Sequence, residues 1–243
     1  KSHLKVDTGM GRMGIKFDDI DKIIKILSKT KHIQIEGVYS HFSTAEESDP
    51  QYRDWQLKRF QKVVKMANEI LPETEYFHIA NSAGILNCTD SHFNMVRPGI
   101  SLYGVSSLGK FHEKLSPVMR MKAPVVMVKH VKAGESIGYN RLFTAEKDEN
   151  IALLQAGYAD GVPVEFCNKA YVDFNGNKLK VLGKVSMDLF CIDCSDVKVN
   201  VGEYITIWGG NNTQIEQHSK LINKNLYTYT TKIGNRVEYR YDS

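Results

Sequence analysis

Asp7-Thr-Gly-Met-Gly-Arg-Met-Gly14 follows the apolar-alternating run His3 to Val6 and sets an arginine in a glycine-rich loop at a strand end. A backbone-lined loop carrying a guanidinium can hold an anion. Its letters also fit the dinucleotide pattern GxGxxG at Gly9, Gly11 and Gly14, which would point to a nicotinamide or flavin fold. In such a fold the glycines open the helix and an acid closes the next strand about 20 residues on. Here helical spacing waits until about Phe17, and Glu36 is followed by Gly-Val-Tyr-Ser, so the strand runs past it. The dinucleotide reading is therefore rejected. For the loop alone, a plain turn with a solvated arginine stays open beside the anion site.

Outward from this loop, the first hundred residues read as strand, loop and helix, repeated. Candidate strands are 3–7, 33–39, 76–80 and 95–97. Asp49-Pro50 starts a helix carrying Trp55, Phe60, Val63, Val64, Ala67 and Ile70, which ends near Pro72. Phe17 to Leu27 repeats the pattern with Ile20, Ile23, Ile24 and Leu27. Strands alternating with helices predict a parallel sheet, doubly wound or barrel. After about Gly109 the texture changes. Ala123 to Val131, Ile151 to Gln155, Lys178 to Leu182, Leu189 to Cys194 and Tyr204 to Trp208 are short β-branched or aromatic runs. Turn signals such as Ala133-Gly134 and Phe174-Asn-Gly-Asn177 separate them. The expected organisation is α/β plus all-β, with residues 1–109 as the βα part and 110–243 as a mainly antiparallel β domain.

The net charge of +4 is mildly basic, but lysines and acids are interspersed, which argues against a nucleic-acid partner and is compatible with a small anionic ligand. No apolar run approaches the roughly 20 residues of a membrane span, and no signal peptide opens the chain. Cys191 and Cys194 are spaced suggestively, yet three positions apart on a strand they point to opposite faces, so no metal site is expected. Reduced structural cysteines fit a cytoplasmic protein.

Polar residues able to do chemistry lie past each candidate strand end of the first part: Arg12, then His41, then Asn81 and Ser82, then Arg97 with Gly99 and Ile100. Such loops converge at the C-terminal mouth of a barrel or doubly wound sheet, where the last ones commonly hold phosphate. Taken singly, Arg12 reads equally as a loop arginine, His41 as a core histidine and Ser82 as a helix cap.

Seven segments together carry a resemblance: His3 to Gly14, Gly37-Val-Tyr-Ser-His-Phe-Ser-Thr-Ala45, His78-Ile-Ala-Asn-Ser-Ala-Gly84, Val96-Arg-Pro-Gly-Ile-Ser-Leu-Tyr-Gly104, Gly138-Tyr139, Gly157-Tyr-Ala-Asp-Gly161 and Met187-Asp188. In this order they resemble alanine racemase over nearly the whole chain. The resemblance implies a pyridoxal 5'-phosphate enzyme that supplies D-alanine for the peptidoglycan cell wall. It also implies an eight-stranded (β/α)8 TIM-type barrel, of which this chain would hold the C-terminal half, followed by the β domain. The enzyme would be a head-to-tail homodimer with shared active sites, acting on a small-molecule amino acid.

By resemblance, Arg12 lies near the cofactor's phenolic oxygen and the substrate carboxylate, and His41 packs beside the pyridine ring. Asn81, Ser82, Gly99 and Ile100 hold the phosphate. Arg97 faces the pyridine nitrogen, where a guanidinium of pKa above about 12 cannot give up its proton. That favours proton exchange at Cα over transamination. Tyr139 is the base on the L side, supplied by the opposite subunit, while Tyr158, Met187 and Asp188 line the substrate entrance. Without the resemblance these tyrosines read as core aromatics. The family's second base is a lysine in a segment like Val-Lys-Ala-Asn-Ala-Tyr-Gly, which the sequence lacks, so the chain by itself is expected to be inactive. Asn235 stands where the family often has a phosphate-binding tyrosine. A racemase for serine, lysine or several amino acids, and a non-catalytic cofactor binder, remain as alternatives.

Overall fold

The computed structural model describes residues 1–109 and 114–241, in two compact units, Lys1–Ser116 and Pro117–Ser243. The boundary expected at 109 and 110 adjoins residues 110–113, which lie outside the described residues.

In the first unit β1 (Ser2–Asp7), β2 (Ile15–Lys16), β3 (Ile35–Tyr39) and β4 (Tyr76–His78) form a parallel sheet in the order β2-β1-β3-β4. Helices α1 (Ile20–Leu27) and α2 (Gln51–Ile70) pack on one face. The α2 helix begins where Asp49 Oδ1 accepts the Gln51 N–H at 2.9 Å, and it stops short of Pro72, which has no N–H to donate. Its Leu57, Phe60, Val63 and Ala67 meet Ile20 and Ile24 of α1 and Val6, Val38 and Phe77 of the sheet. Each such buried Val, Leu, Ile or Phe stabilises the unit by about 1.5–3 kcal/mol. The alternation of a strand sends His3, Lys5 and Asp7 of β1, Gly37 and Tyr39 of β3, and Tyr76 and His78 of β4 to the opposite face. That face is polar and aromatic.

Two sequence expectations meet the structure here. The glycines of the Asp7–Gly14 loop open no helix, because β2 and a 3-10 turn (Phe17–Asp19) intervene before α1, consistent with rejecting a dinucleotide fold. Residues 95–97, however, are not a strand. The Arg97 N–H donates to the Ala80 carbonyl at 3.0 Å, but Pro98 cannot continue a ladder. The remaining strand of this sheet is instead the two-residue β2, paired with Val6 and Asp7.

The second unit begins with β5 (Met121–Val131) and the short hairpin of β6 (Ser136–Ile137) and β7 (Phe143–Thr144). It continues with β8 (Glu149–Leu154), β9 (Tyr171–Phe174), β10 (Asn177–Leu182), β11 (Phe190–Asp193) and β12 (Tyr204–Trp208). Six of these close into an antiparallel barrel in the order β10-β11-β8-β5-β12-β9, and closure removes exposed strand edges. Val172, Val181, Ile192 and Ile205 are fully buried. Asn175 (φ 52°) and Gly176 (φ 86°) turn β9 into β10, as a two-residue hairpin requires. Helix α3 (Ser82–Asn87) belongs to the first unit, while α4 (Ile215–Ile222) and α5 (Tyr227–Thr231) complete the second. The sequence did not signal β9, α4 or α5, all of eight residues or fewer. Among the described residues, no helix is long and apolar enough to cross a membrane.

Candidate functional site

In the first unit the strand-end loops are built before they are functional. Asp7 Oδ1 accepts the N–H groups of Gly9, Met10 and Gly11 at 2.9, 2.8 and 3.1 Å, folding the loop around one carboxylate. Burial works against that charge, but the three backbone donors keep the Asp7 carboxyl below its ordinary value. Gly9 is fixed by space: a Cβ there would come within 2.5 Å of the Trp55 ring. The loop presents Arg12 as an exposed side chain. Past β3, Gln56 of α2, fully buried, accepts from Ser43 N–H at 3.0 Å and donates to the His41 carbonyl at 3.2 Å, pinning the His41 loop.

Arg97 is the centre of the unit's polar cluster. Its guanidinium donates to the Ser40 carbonyl at 2.7 Å, the His78 carbonyl at 3.2 Å, His41 Nδ1 at 3.1 Å and His78 Nδ1. It also lies 5.3 Å from the centre of the Tyr39 ring, which stacks on His78. Burial lowers Arg97 from its usual value, yet a guanidinium remains charged. Both histidines are held neutral. Burial, then the charges of Arg97, Arg12 and Lys5, push His41 down to about 4; burial, then Arg97 and His3, push His78 to about 4. Among the described residues, none of the hydrogen-bond partners of Arg97 is a carboxylate.

The phosphate residues divide. Asn81 Oδ1 caps α3 by accepting the Gly84 N–H at 3.0 Å, so the cap expected at Ser82 belongs to its neighbour. Ser82 Oγ instead gathers Gly99 N–H at 2.8 Å, Ser101 N–H at 3.3 Å and the Ser101 hydroxyl at 3.2 Å. Ile100 is buried at the start of a 3-10 turn. The structure thus joins Ser82 to the Gly99 loop and His41 to Arg97.

In the second unit Tyr139 is 67% exposed in a tight connection between β6 and β7. Gly138 (φ 73°), Asn140 (φ 62°) and Arg141 (φ 51°) are all left-handed, a conformation that costs energy in the two non-glycine residues. Asn168 holds this loop, donating to the Leu142 carbonyl at 2.8 Å and accepting the Gly183 N–H at 2.7 Å. Tyr158 and Met187 are also exposed, at 52% and 50%. Their loops are tied together: Tyr158 N–H donates to the Ser186 carbonyl at 3.0 Å, and Ala159 N–H to the Met187 carbonyl at 3.2 Å. Arg236 locks the arrangement, donating to both Asp160 oxygens at 2.6 and 3.0 Å and pairing with Asp188 at 2.6 Å. Sequence reasoning missed the pairing of Asp160 with Arg236, since the partners stand 76 residues apart. Asn235 is exposed beside it.

Comparison with known proteins gives this geometry its context. Residues 1–107 match the family model of the alanine racemase N-terminal domain, and residues 118–241 that of the C-terminal domain. An alanine racemase from Vesicomyosocius okutanii subsp. Calyptogena okutanii is 37% identical over 236 residues, covering 97% of this chain and 65% of its own. One from Citrifermentans bemidjiense is 39% identical over 213 residues, covering 85% and 56%. The crystal structure of alanine racemase from D-cycloserine-producing Streptomyces lavendulae superposes with a TM-score of 0.90 at 30% identity, covering 97% of this chain and 64% of that one. That of the Bartonella henselae enzyme, which has covalently bound pyridoxal phosphate, gives a TM-score of 0.85 at 32% identity, covering 96% and 64%. The chain spans between 56% and 65% of the length of these relatives. With both domain models matched in order, a parallel sheet before an antiparallel barrel, and the shared fold, the chain belongs to the alanine racemase family.

Proposed function

We propose that the protein is a pyridoxal-phosphate-dependent amino-acid racemase that interconverts L- and D-alanine by two-base proton transfer at Cα, in the cytoplasm and for cell-wall synthesis. The observation that carries this reading is Arg97, a guanidinium whose hydrogen-bond partners are neutral imidazoles and carbonyls. The donor set fits the cofactor: an uncompensated cation for the pyridine nitrogen, the Ser82–Gly99–Ser101 cluster for the phosphate, and Arg12 for the phenolic oxygen and substrate carboxylate. The parallel sheet is read as part of a (β/α)8 barrel.

Pyridoxal phosphate, when bound, withdraws electrons from the Cα–H bond. Arg97 donates a hydrogen bond it cannot convert into proton transfer, which limits that withdrawal and keeps the proton exchange at Cα. Tyr139, from the second copy of a homodimer, takes the proton on the L side. A tyrosine of ordinary pKa near 10 needs cationic neighbours for this, which Arg97, relayed through His41, would supply. Its exposure in a strained, pinned loop supports that role. Tyr158, Met187 and Asp188 line the substrate entrance. The D-side base is assigned to the lysine of the family's N-terminal segment.

The test is to express the complete gene, add pyridoxal phosphate, and follow visible absorbance and the exchange of Cα hydrogen for deuterium in L- and D-alanine, with serine and lysine in parallel. A coloured protein that exchanges alanine fastest is expected. A protein that stays colourless and exchanges no amino acid would overturn the reading.

A further inference from the structure

Arg97 leans on a second histidine, and that histidine leans on a third group two strands away. A guanidinium has only donors, so the contact with His78 Nδ1 requires that this nitrogen carry a lone pair. A neutral His78 then bears its proton on Nε2, which faces His3 Nδ1 at 2.9 Å and donates to it. His3 must in turn keep its own proton on Nε2. The direction of every bond is therefore set by the guanidinium, and one added proton on either ring would bring two N–H groups face to face.

The sheet is built to let this chain form. His3 lies on β1 and His78 on β4, with β3 between them. The residue of β3 that pairs with both His3 and Tyr76 is Gly37. Any Cβ at that position would lie 2.5 Å from His3 Nδ1 and Cε1. Its absence lets the His3 ring cross the middle strand. There the ring stacks on Tyr76, with centroids 5.9 Å apart and planes at 14°, while Tyr39 stacks on His78 at 5.0 Å and 11°. His78 is only 4% exposed, and its burial keeps the ring neutral.

We propose that His78, backed by His3, is a positioning residue that fixes the Arg97 guanidinium through a one-way chain of hydrogen bonds running from Arg97 to His78 to His3. The inference rests on the reading that Arg97 faces the cofactor. His78 itself touches neither cofactor nor substrate in this role.

Two measurements test it. In 15N-histidine-labelled protein, imidazole nitrogen shifts at neutral pH should show His78 protonated on Nε2 alone and His3 Nδ1 accepting its hydrogen bond, with or without pyridoxal phosphate. A His78 ring protonated on Nδ1, or on both nitrogens, would overturn the proposal. In the cofactor-loaded enzyme, His78→Leu should lower kcat about a hundredfold with little change in KM, the scale expected of a misplaced group. His78→Asn, whose amide oxygen can stand in for Nδ1, should recover about tenfold of that loss, roughly the worth of one hydrogen bond. His3→Phe keeps the ring stack but removes the acceptor, and should cost less than His78→Leu. If Asn is no better than Leu, the positioning role is wrong. If the protein neither binds the cofactor nor racemises, the functional reading fails while the nitrogen shifts still decide the chain.

Discussion

Arg97 in the parallel-sheet unit donates to two imidazoles and to backbone carbonyls, whereas Arg236 in the barrel unit closes on the carboxylates of Asp160 and Asp188. The two arginines make similar numbers of contacts but differ in what remains. Arg236 is neutralised, and the hydrogen bonds and charges of its two carboxylates raise it further above its usual value, so it acts as a clamp between loops. Arg97 bonds to neutral imidazoles and carbonyls and, among the described residues, to no carboxylate, which makes its charge available to a ligand. A partly buried cation without an acid marks a binding site better than a well-formed ion pair does.

Four changes probe this contrast, from the largest expected effect downward. Tyr139→Phe deletes one hydroxyl from an exposed loop of the barrel unit. If that unit supplies the L-side base, exchange at Cα of L-alanine should slow by about a hundredfold to ten-thousandfold, and exchange of D-alanine less. Equal slowing of both would remove the assignment. Mixing this variant with Arg97→Glu should restore part of the activity, because one site of each mixed dimer keeps both residues; verified subunit exchange without recovery would rule out a shared site.

Arg97→Glu puts a carboxylate where the uncompensated cation stood. Racemisation should fall by about a hundredfold to a thousandfold while transamination rises relative to it. Burial is the chief cause that depresses His41 and His78 and the charge of Arg97 adds to it, so both should titrate above their present values of about 4 in the variant. Unchanged histidine titrations by NMR would show that Arg97 does not govern the cluster.

Gly157→Ala tests the clamp unit without touching a charge. Its Cβ would lie 2.2 Å from the Met187 carbonyl oxygen, so the two loops joined near Arg236 must separate. Urea unfolding followed at Trp208 should show a loss of about 1–3 kcal/mol, the usual cost of overpacking. A wild-type midpoint would mean that the loops yield freely.

The last change is in pH, and near neutrality it is the mildest. His41 and His78 of the first unit, and His218 of the second, titrate at about 4 in the folded chain against an ordinary 6.5, in each case chiefly because burial disfavours the charged ring. The unfolded chain binds these protons first, so stability is full above pH 6.5 and declines as the pH falls from 6.5 toward 4. Two such rings against one should make the first unit decline more steeply. Trp55 and Trp208 lie in different units, so single-tryptophan variants report each separately. Equal slopes would contradict the neutral His41 and His78.

Much of the fold was legible because period and punctuation agree. Asp49-Pro50 and Pro72 bracket α2, and Asn175-Gly176 closes the β9–β10 hairpin. The misreading at 95–97 has a simple cause: an apolar run before a proline looks extended, but whether it joins a sheet depends on a neighbour's free N–H and C=O groups. Site residues were legible as types and as family motifs. Arg12, His41, Arg97 and Tyr139 stood out by position, whereas the helix cap expected at Ser82 is made by its neighbour Asn81.

Local chemistry thus determined the order of elements, the glycine-built loop on Asp7 and the membership of the family, since turns, caps and periodicity act over a few residues. Tertiary structure decided which groups meet. The His3–His78–Arg97 chain joins positions up to 94 residues apart and exists because Gly37 leaves the middle strand bare; Arg236 reaches Asp160 across 76 residues. Hydrogen bonds act within about 3 Å, and only a folded sheet or closed barrel brings such distant residues that close.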